Sequence, residues 1–204
     1  MFPRAALITS TLPTVDRLLL AAQSLFLERN YADATMDQIC AMAEVTKGAL
    51  YHHFASKEEL YLAMLLADLG EKKELFQRSV QHPGSCQARL RLLTEDYFRL
   101  PKEKRDLITL VRRDINVFPE KIRTHLVSAY QDALPKQVEA ILRDGIASGE
   151  LAEANERLLS WEFVALVEVL LSPYAEQVFP TVDAKLDHIL KVFIGGAQTP
   201  PTSS

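Results

Sequence analysis

The stretch ATMDQICAMAEVTKGALYHHFASKEEL, residues 34–60, decides the fold because it holds successive signals for the starts of helices. Thr35 precedes an apolar helical face and Gln38 follows three positions later, which is the pattern of a capping box. Thr46 stands in the same position before a second apolar face, from Lys47 to about Phe54. These signals predict two short helices, each of about two turns, joined by a turn of about three residues.

Longer helices are predicted on both sides of this pair. Before it, apolar residues recur at the spacing that draws one stripe along a helix: Val15, Leu18, Leu19, Ala22, Leu25 and Phe26. This helix is expected to end near Asn30, in the left-handed conformation that a helix C-cap favours. After the pair, Ser56 and Glu59 repeat the capping-box pattern at the head of a helix predicted over 57–80. That helix is long enough to join two domains.

The rest of the chain is also predicted to be helical, so the expected fold class is all-α. Only seven glycines are present in 204 residues, and residues with high helix propensity are common. Prolines and glycines divide the remainder into predicted helices at 85–100, 103–114, 119–147, 155–173 and 182–195. Pro135 is expected to kink or divide the third of these.

Composition excludes several classes of protein. The net charge is -4, and the two cysteines, Cys40 and Cys86, have neither metal-ligand nor CxxC spacing. No apolar run approaches the roughly 20 residues that cross a bilayer. Motifs of hydrolases, metalloproteases and phosphate-binding loops are absent from the sequence. We therefore expect a soluble, cytoplasmic protein that is not an enzyme and has no catalytic residues, metal or cofactor.

Over residues 15–65 the chain resembles the N-terminal domain of the TetR family of repressors. The resemblance rests on LLLAAQSLF in the first helix and on VTKGALYHHF at 45–54, followed by Lys57. It implies a helix-turn-helix, which places one helix in the major groove of DNA. The family usually has glycine where Asn30 and Glu44 stand here. Because a non-glycine residue disfavours positive φ, we expect Glu44 to adopt a right-handed or bridge conformation.

Four segments follow from this interpretation: a flexible arm (1–13), a helix-turn-helix DNA-binding domain (14–60), a helical ligand-binding and dimerisation domain (61–195) and a disordered tail (196–204). The C-terminal part matches the family in layout only. The segment 158–171 is apolar nearly all round, so one of its faces needs a partner. Pairing it with the last helix across a two-fold axis predicts a homodimer with a four-helix interface, as the resemblance also implies.

The predicted DNA-binding residues lie at helix starts and along the second helix of the pair. Short side chains at Gly48 and Ala49 allow close approach to the duplex. By resemblance, Tyr51 and His52 would contact phosphates or base edges, and Lys57 a phosphate. The full predicted set is Thr35, Thr46, Lys47, Gly48, Ala49, Tyr51, His52 and Lys57. A two-fold dimer would present two such helices to a near-palindromic operator.

A ligand pocket is expected in the C-terminal helical domain, although ordinary core packing is the alternative for every apolar candidate. The wall candidates are Leu93, Tyr97, Leu110, Val111, Phe118, Leu126, Tyr130, Trp161 and Phe163, with Arg112, Arg113 and Asp114 as polar anchors. Such walls suit a small apolar effector, such as a fatty-acyl compound, an aromatic or a lipophilic drug. Arg112 and Arg113 suit an acidic head group.

Two functions remain open on the sequence. The first is a ligand-responsive repressor that leaves its operator when the effector binds, since the resemblance favours a repressor over an activator. The second is an all-helical small-molecule binding protein that does not bind an operator. Residues 1–60 hold five basic and seven acidic residues, which favours the second function. If DNA is bound, this balance predicts modest non-specific binding and a shallow salt dependence.

Overall fold

The computed structural model describes residues 12–197, except the side chains of Ile108, Thr109, Arg112 and Ala197. Every regular element in this part of the chain is helical, which confirms the predicted all-α class. The helices are α1 (Thr14–Glu28), α2 (Met36–Ala43), α3 (Lys47–His53), α4 (Lys57–Gln81), α5 (Cys86–Arg99), α6 (Lys102–Asp114), α7 (Glu120–Ala133), α8 (Pro135–Ala147), α9 (Glu156–Val169), α10 (Pro173–Val178) and α11 (Val182–Ala197). Most of the predicted arm and tail lies outside the described residues. Between residues 12 and 197, no helix combines the length and apolar character needed to span a membrane.

The helices form two compact units. The first runs through Asp68 and also takes in Pro101–Val127, so α6 and the start of α7 group with α1, α2 and α3. The second consists of Leu69–Leu100 and the chain from Ser128 onward. The predicted domain boundary after residue 60 assigned Pro101–Val127 to the C-terminal domain. Contacts of α6 with α1 place this segment in the first unit instead.

The first unit has one apolar core. Leu18 and Phe26 of α1, Ile39 of α2 and Leu50 of α3 are fully buried in it, and Leu110 of α6 is 1% exposed. Burial of each such side chain stabilises the fold by about 1.5–3 kcal/mol. Since α6 contributes to this core, the short helices α2 and α3 are held by more than the N-terminal helices alone.

The second unit has its own core, built from α5, α8, α9 and α11. Phe163 of α9 meets Phe193 of α11 edge to face, with ring centroids 4.9 Å apart. On α8, a Cβ added to Gly145 would lie 2.8 Å from the Cβ of Cys86. The close approach of α8 to α5 therefore depends on the missing side chain at Gly145.

The prediction of a left-handed cap at Asn30 was wrong. Helix α1 ends at Glu28, and Arg29 is extended with φ -130°. Glu44 is the one non-glycine residue with positive φ in the described part of the chain. The guanidinium of Arg113 explains the difference, because its Nη2 donates to the carbonyl oxygens of Phe26 at 2.9 Å and Arg29 at 3.0 Å. A residue distant in sequence thus satisfies the end of α1, so no left-handed cap is needed.

The expected conformation of Glu44 was also wrong, because the residue is left-handed, with φ 54° and ψ 46°. Its N–H donates to the carbonyl of Ala41 at 3.4 Å, and the N–H of Val45 donates to Cys40 at 3.1 Å. These two hydrogen bonds form a Schellman motif, which requires positive φ at this position. They offset the cost of about 1–2 kcal/mol for a side chain in that conformation.

The expectation that Pro135 kinks or divides the predicted helix 119–147 is confirmed, because the helix is divided at Leu134 into α7 and α8. Two other boundaries differ from the predicted ones. The predicted helix 155–173 stops at Val169, and the short α10 follows. Helix α11 continues to Ala197, so Gly195 and Gly196 are helical although Gly196 was assigned to the tail. A glycine within a helix is only about 1 kcal/mol less favourable than an alanine. This cost is too small to end α11 at Gly195.

Candidate nucleic-acid interface

The starts of α2 and α3 are fixed by side-chain caps. The N–H of Gln38 donates to Thr35 Oγ1 at 3.3 Å, and the N–H of Thr35 donates to Gln38 Oε1 at 3.0 Å. The N–H of Ala49 donates to Thr46 Oγ1 at 3.2 Å. The predicted capping box on α2 and the predicted cap on α3 are therefore confirmed, and they orient two helices joined by a tight turn.

The cap at the start of α4 is confirmed in part. The N–H of Glu59 donates to Ser56 Oγ at 3.1 Å, as predicted. The Glu59 carboxylate accepts at 2.8 Å from the N–H of Ala55, one residue earlier than a standard capping box requires. The carboxylate thereby fixes the connection between α3 and α4 as well as the start of α4.

Helix α3 presents the predicted contact residues on one exposed face. Lys47, Gly48, Tyr51 and His52 are exposed, whereas Leu50 is fully buried beneath them. A Cβ added to Gly48 would meet nothing nearer than Thr46 Oγ1, 3.9 Å away. The backbone of α3 is thus accessible at its start, which is the geometry that a helix entering the major groove needs.

Lys47 is paired with an acidic residue that the sequence interpretation did not single out. Its Nζ lies 2.7 Å from Oδ2 of Asp37, and about two thirds of each side chain is exposed. The hydrogen bond to this carboxylate raises the pKa of Lys47. Ten positions separate the two residues, so a local charge pattern gave no signal for the pair. The ion pair joins the first turn of α2 to the first residue of α3.

The Lys57 ammonium, predicted to contact a phosphate, is bonded to the protein itself. Its Nζ donates to the carbonyl oxygens of Tyr31 at 2.6 Å and Ala34 at 2.9 Å. It also lies 4.4 Å from the ring centroid of Tyr31. Desolvation by burial lowers the pKa of Lys57. The side chain therefore holds the connection between α1 and α2, and through it the position of Thr35.

The predicted ligand-binding residues are divided between the two units. Those in the first unit have packing or hydrogen-bonding roles there: Leu110, Phe118 and Leu126 lie in its core, Val111 packs against that core, Arg113 caps α1 and Asp114 accepts a hydrogen bond from Tyr61. The side chain of Arg112 lies outside the described residues. The remaining five, Leu93, Tyr97, Tyr130, Trp161 and Phe163, belong to the second unit.

Within the second unit, only one pair of these candidates lies near the surface. Leu93, Tyr97 and Phe163 are buried in the core. The rings of Tyr130 and Trp161 have centroids 6.0 Å apart, and the Tyr130 hydroxyl donates to Glu168 at 3.4 Å. The structure thus brings Tyr130 of α7 next to Trp161 of α9.

Helix α9 leaves an apolar face uncovered. Its inward face buries Phe163, Val164 and Val167. On the other side, Leu158 is 59% exposed and Val169 is 64% exposed. Both are large apolar side chains on the same side of the helix. An exposed apolar face of this kind is typical of a helix that packs against another chain.

Comparisons with known proteins match both ends of this architecture. The sequence profile "Bacterial regulatory proteins, tetR family" matches residues 18–64, and the profile "Tetracyclin repressor-like, C-terminal domain" matches residues 83–172. The first match contains all of α2 and α3. Together the two matches cover more than half of the chain.

The curated relatives are regulators of transcription. The transcriptional activator FasR of Mycolicibacterium smegmatis is 38% identical over 82 residues, which are 40% of this chain and 37% of FasR. The chain thus spans little more than a third of the length of this relative. The fatty acid metabolism regulator protein of Bacillus subtilis is 21% identical over 155 residues, which are 74% of this chain and 78% of that protein.

Solved structures share the fold. The structure of the regulator FadR from Bacillus subtilis in complex with stearoyl-CoA superposes with a TM-score of 0.75 at 18% identity. The superposition covers 90% of this chain and 99% of that one. At this level of identity, the likeness concerns the fold alone.

Proposed function

The chain belongs to the TetR family of bacterial regulatory proteins, and from this premise we propose that it is a ligand-responsive transcriptional repressor. It binds a near-palindromic operator in the cytoplasm as a homodimer, and a small effector releases it. The observation that carries the proposal is the capped pair α2 and α3, with Lys47, Tyr51 and His52 on one exposed face. A solvent-exposed helix of this kind, fixed by a turn to a supporting helix, suits insertion into the major groove.

The roles on DNA follow from position. The start of α3 lets the DNA backbone come close, because Gly48 and Ala49 have short side chains and Thr46 caps the helix there. Tyr51 and His52 lie further along the exposed face and reach base edges or phosphates. Thr35 contributes a further phosphate contact at the start of α2. Lys57 acts mainly by holding the α1–α2 connection, since its Nζ already donates to Tyr31 and Ala34.

Dimerisation is proposed through the uncovered face of α9 together with α11. Leu158 and Val169 supply exposed apolar area on α9, and Val192 is 50% exposed on α11. A copy related by a two-fold axis would cover these side chains with the same side chains of its own. Two α3 helices would then be available for two half-sites about one turn of DNA apart.

The effector is proposed to bind in the second unit, near Tyr130 and Trp161, and acyl thioesters are the class to test first. This choice is supported by the name of the fatty acid metabolism regulator and by the stearoyl-CoA bound to FadR. The apolar side chains of the second unit suit an acyl chain. Aromatic and lipophilic drug-like compounds are the remaining candidates.

Selection from a random DNA pool tests the proposal. Wild type is expected to enrich a near-palindrome, and Tyr51→Ala is expected to enrich none. Tyr174→Ala is the matched control, because Tyr174 is 74% exposed but lies in the second unit. Enrichment of no sequence by wild type would reject operator binding and favour the all-helical binding protein. A reporter under the selected operator then separates repression from the activation named for FasR.

A further inference from the structure

Lys47 is the only lysine or arginine between residues 35 and 56, and its ammonium is already paired with a carboxylate. We propose that Asp37 is an affinity-setting residue, whose carboxylate competes with DNA phosphates for Lys47. The proposal rests on the proposed repressor function, because it concerns the same surface. Asp37 is not among the DNA-binding residues predicted from the sequence.

The geometry of the pair is that of a phosphate contact. An ammonium 2.7 Å from a carboxylate oxygen makes the same charge-assisted hydrogen bond that it would make to a phosphate oxygen. Both side chains are largely exposed, and Lys47 lies one turn before Tyr51 on α3, so the pair lies beside the proposed DNA contacts. DNA approaching α3 therefore meets Lys47 with its charge already compensated.

The neighbouring lysine does not replace Lys47. Lys57 donates its ammonium hydrogens to backbone carbonyl groups of the α1–α2 connection. In the segment from Thr35 to Lys57, each lysine thus has a partner inside the protein. Any phosphate that binds Lys47 must displace Asp37, and the freed carboxylate then lies close to the negatively charged backbone of DNA.

The competition has a consequence for switching. Phosphate contacts supply most of the non-specific affinity for DNA, and they make binding salt-dependent. Because Asp37 neutralises Lys47 on the exposed face of α3, the non-specific affinity stays low. A modest coupling to an effector, about 5- to 150-fold in affinity, is then enough to empty the operator. Asp37 thus sets the affinity for DNA that the effector has to overcome.

The test measures binding of a random-sequence duplex by fluorescence anisotropy between about 50 and 200 mM salt. Asp37→Asn is expected to bind about 3- to 10-fold more tightly than wild type. Its salt dependence should be steeper, by a slope of about one per α3 helix. Operator DNA should also be bound more tightly, with unchanged base preference.

Two further variants isolate the mechanism. Asp16→Asn removes the same charge from the first turn of α1, just as Asp37→Asn does from the first turn of α2, so the helix-dipole contribution is matched. Its affinity should stay within about two-fold of wild type. In a Lys47→Ala background, Asp37→Asn should gain clearly less than in wild type, because only the repulsion between the carboxylate and DNA is left to remove.

Three results would overturn the assignment. Asp37→Asn could bind random DNA no more tightly than Asp16→Asn, or its gain could be undiminished in the Lys47→Ala background. Alternatively, it would weaken operator binding and alter one base preference, in which case Asp37 reads a base. Wild-type selection is a separate readout: if no operator is enriched while Asp37→Asn still tightens random binding, the repressor proposal alone fails.

Discussion

Tyr61 donates a hydrogen bond from its hydroxyl to Oδ2 of Asp114 at 3.1 Å, which ties α4 to α6 within the first unit. The ring of Tyr61 also meets Phe26 of α1, with centroids 4.8 Å apart. The adjacent Arg113 donates to the carbonyl of Phe26 at the end of α1. Helix α6 is thus bonded to both α1 and α4, and a displacement of α6 would strain the helices that support α2 and α3.

Tyr61→Phe should change how stability depends on pH. Burial and the nearby Asp114 raise the pKa of Tyr61, so its contribution is fully present below the unfolded pKa of about 10 and is lost above it. The free energy of unfolding of wild type should fall by about 1 kcal/mol between pH 10 and pH 11 from this group. The variant should be about 1 kcal/mol less stable at pH 7 but fall less over that interval. Urea unfolding at pH 7, 10 and 11 measures this, and parallel curves would contradict it.

Lys57→Met should act on stability more than on charge. It removes the hydrogen bonds to Tyr31 and Ala34 while keeping most of the side-chain volume. The free energy of unfolding should fall by about 1–2 kcal/mol. The slope of DNA affinity against salt should stay unchanged, because the ammonium already donates to these backbone carbonyl groups. Loss of about one unit of slope with unchanged stability would instead assign Lys57 to a phosphate.

Glu44→Gly should stabilise the protein. Glycine adopts the left-handed conformation of this residue without the steric cost of a Cβ, and the backbone hydrogen bonds of the turn remain. We expect a gain of about 1 kcal/mol in the free energy of unfolding, measured by urea titration. Glu44→Ala is the control, since it removes the carboxylate but keeps the Cβ. Equal stabilisation by alanine would attribute the effect to charge.

Two glycine substitutions should have opposite effects. A Cβ at Gly145 would lie 2.8 Å from the Cβ and 2.9 Å from the Sγ of Cys86, so Gly145→Ala should cost about 1–3 kcal/mol. A Cβ at Gly70, within α4, would meet no atom within 4 Å. Gly70→Ala should therefore stabilise the helix by about 0.5–1 kcal/mol. Thermal unfolding of the two variants gives the signs directly, and a neutral Gly145→Ala would show that α5 and α8 can separate freely.

A charge on the exposed face of α9 should disrupt the proposed dimer without unfolding the chain. Leu158→Glu and Val169→Glu place carboxylates at positions that are more than half exposed, so the fold of one chain tolerates them. Sedimentation should show monomers at concentrations where wild type is dimeric. Val117→Glu is the matched control, because Val117 is 60% exposed in the first unit. A dimer that survives both α9 substitutions would place the interface elsewhere.

The predictions that held were those whose partners lie within a turn or two of the helix. Thr35 and Gln38 are three residues apart, and so are Thr46 and Ala49, so the sequence contains both halves of each cap. The left-handed Glu44 was missed although its partners are local, because the hydrogen bonds of the turn outweighed a steric preference. Asn30 was missed for another reason, since the group that ends α1 belongs to Arg113, 84 residues beyond Arg29.

The sequence by itself determined the all-α class, the starts of α2, α3 and α4 and the exposed residues of α3, since caps and apolar periodicity act over short distances. Only the tertiary structure decided that Pro101–Val127 joins the first unit, that Lys47 meets Asp37 and that Lys57 turns inward. Periodicity shows which face of a helix is buried, but it does not show which other helix that face packs against. The choice among partners depends on shape and on the hydrogen bonds that form once the chain is packed.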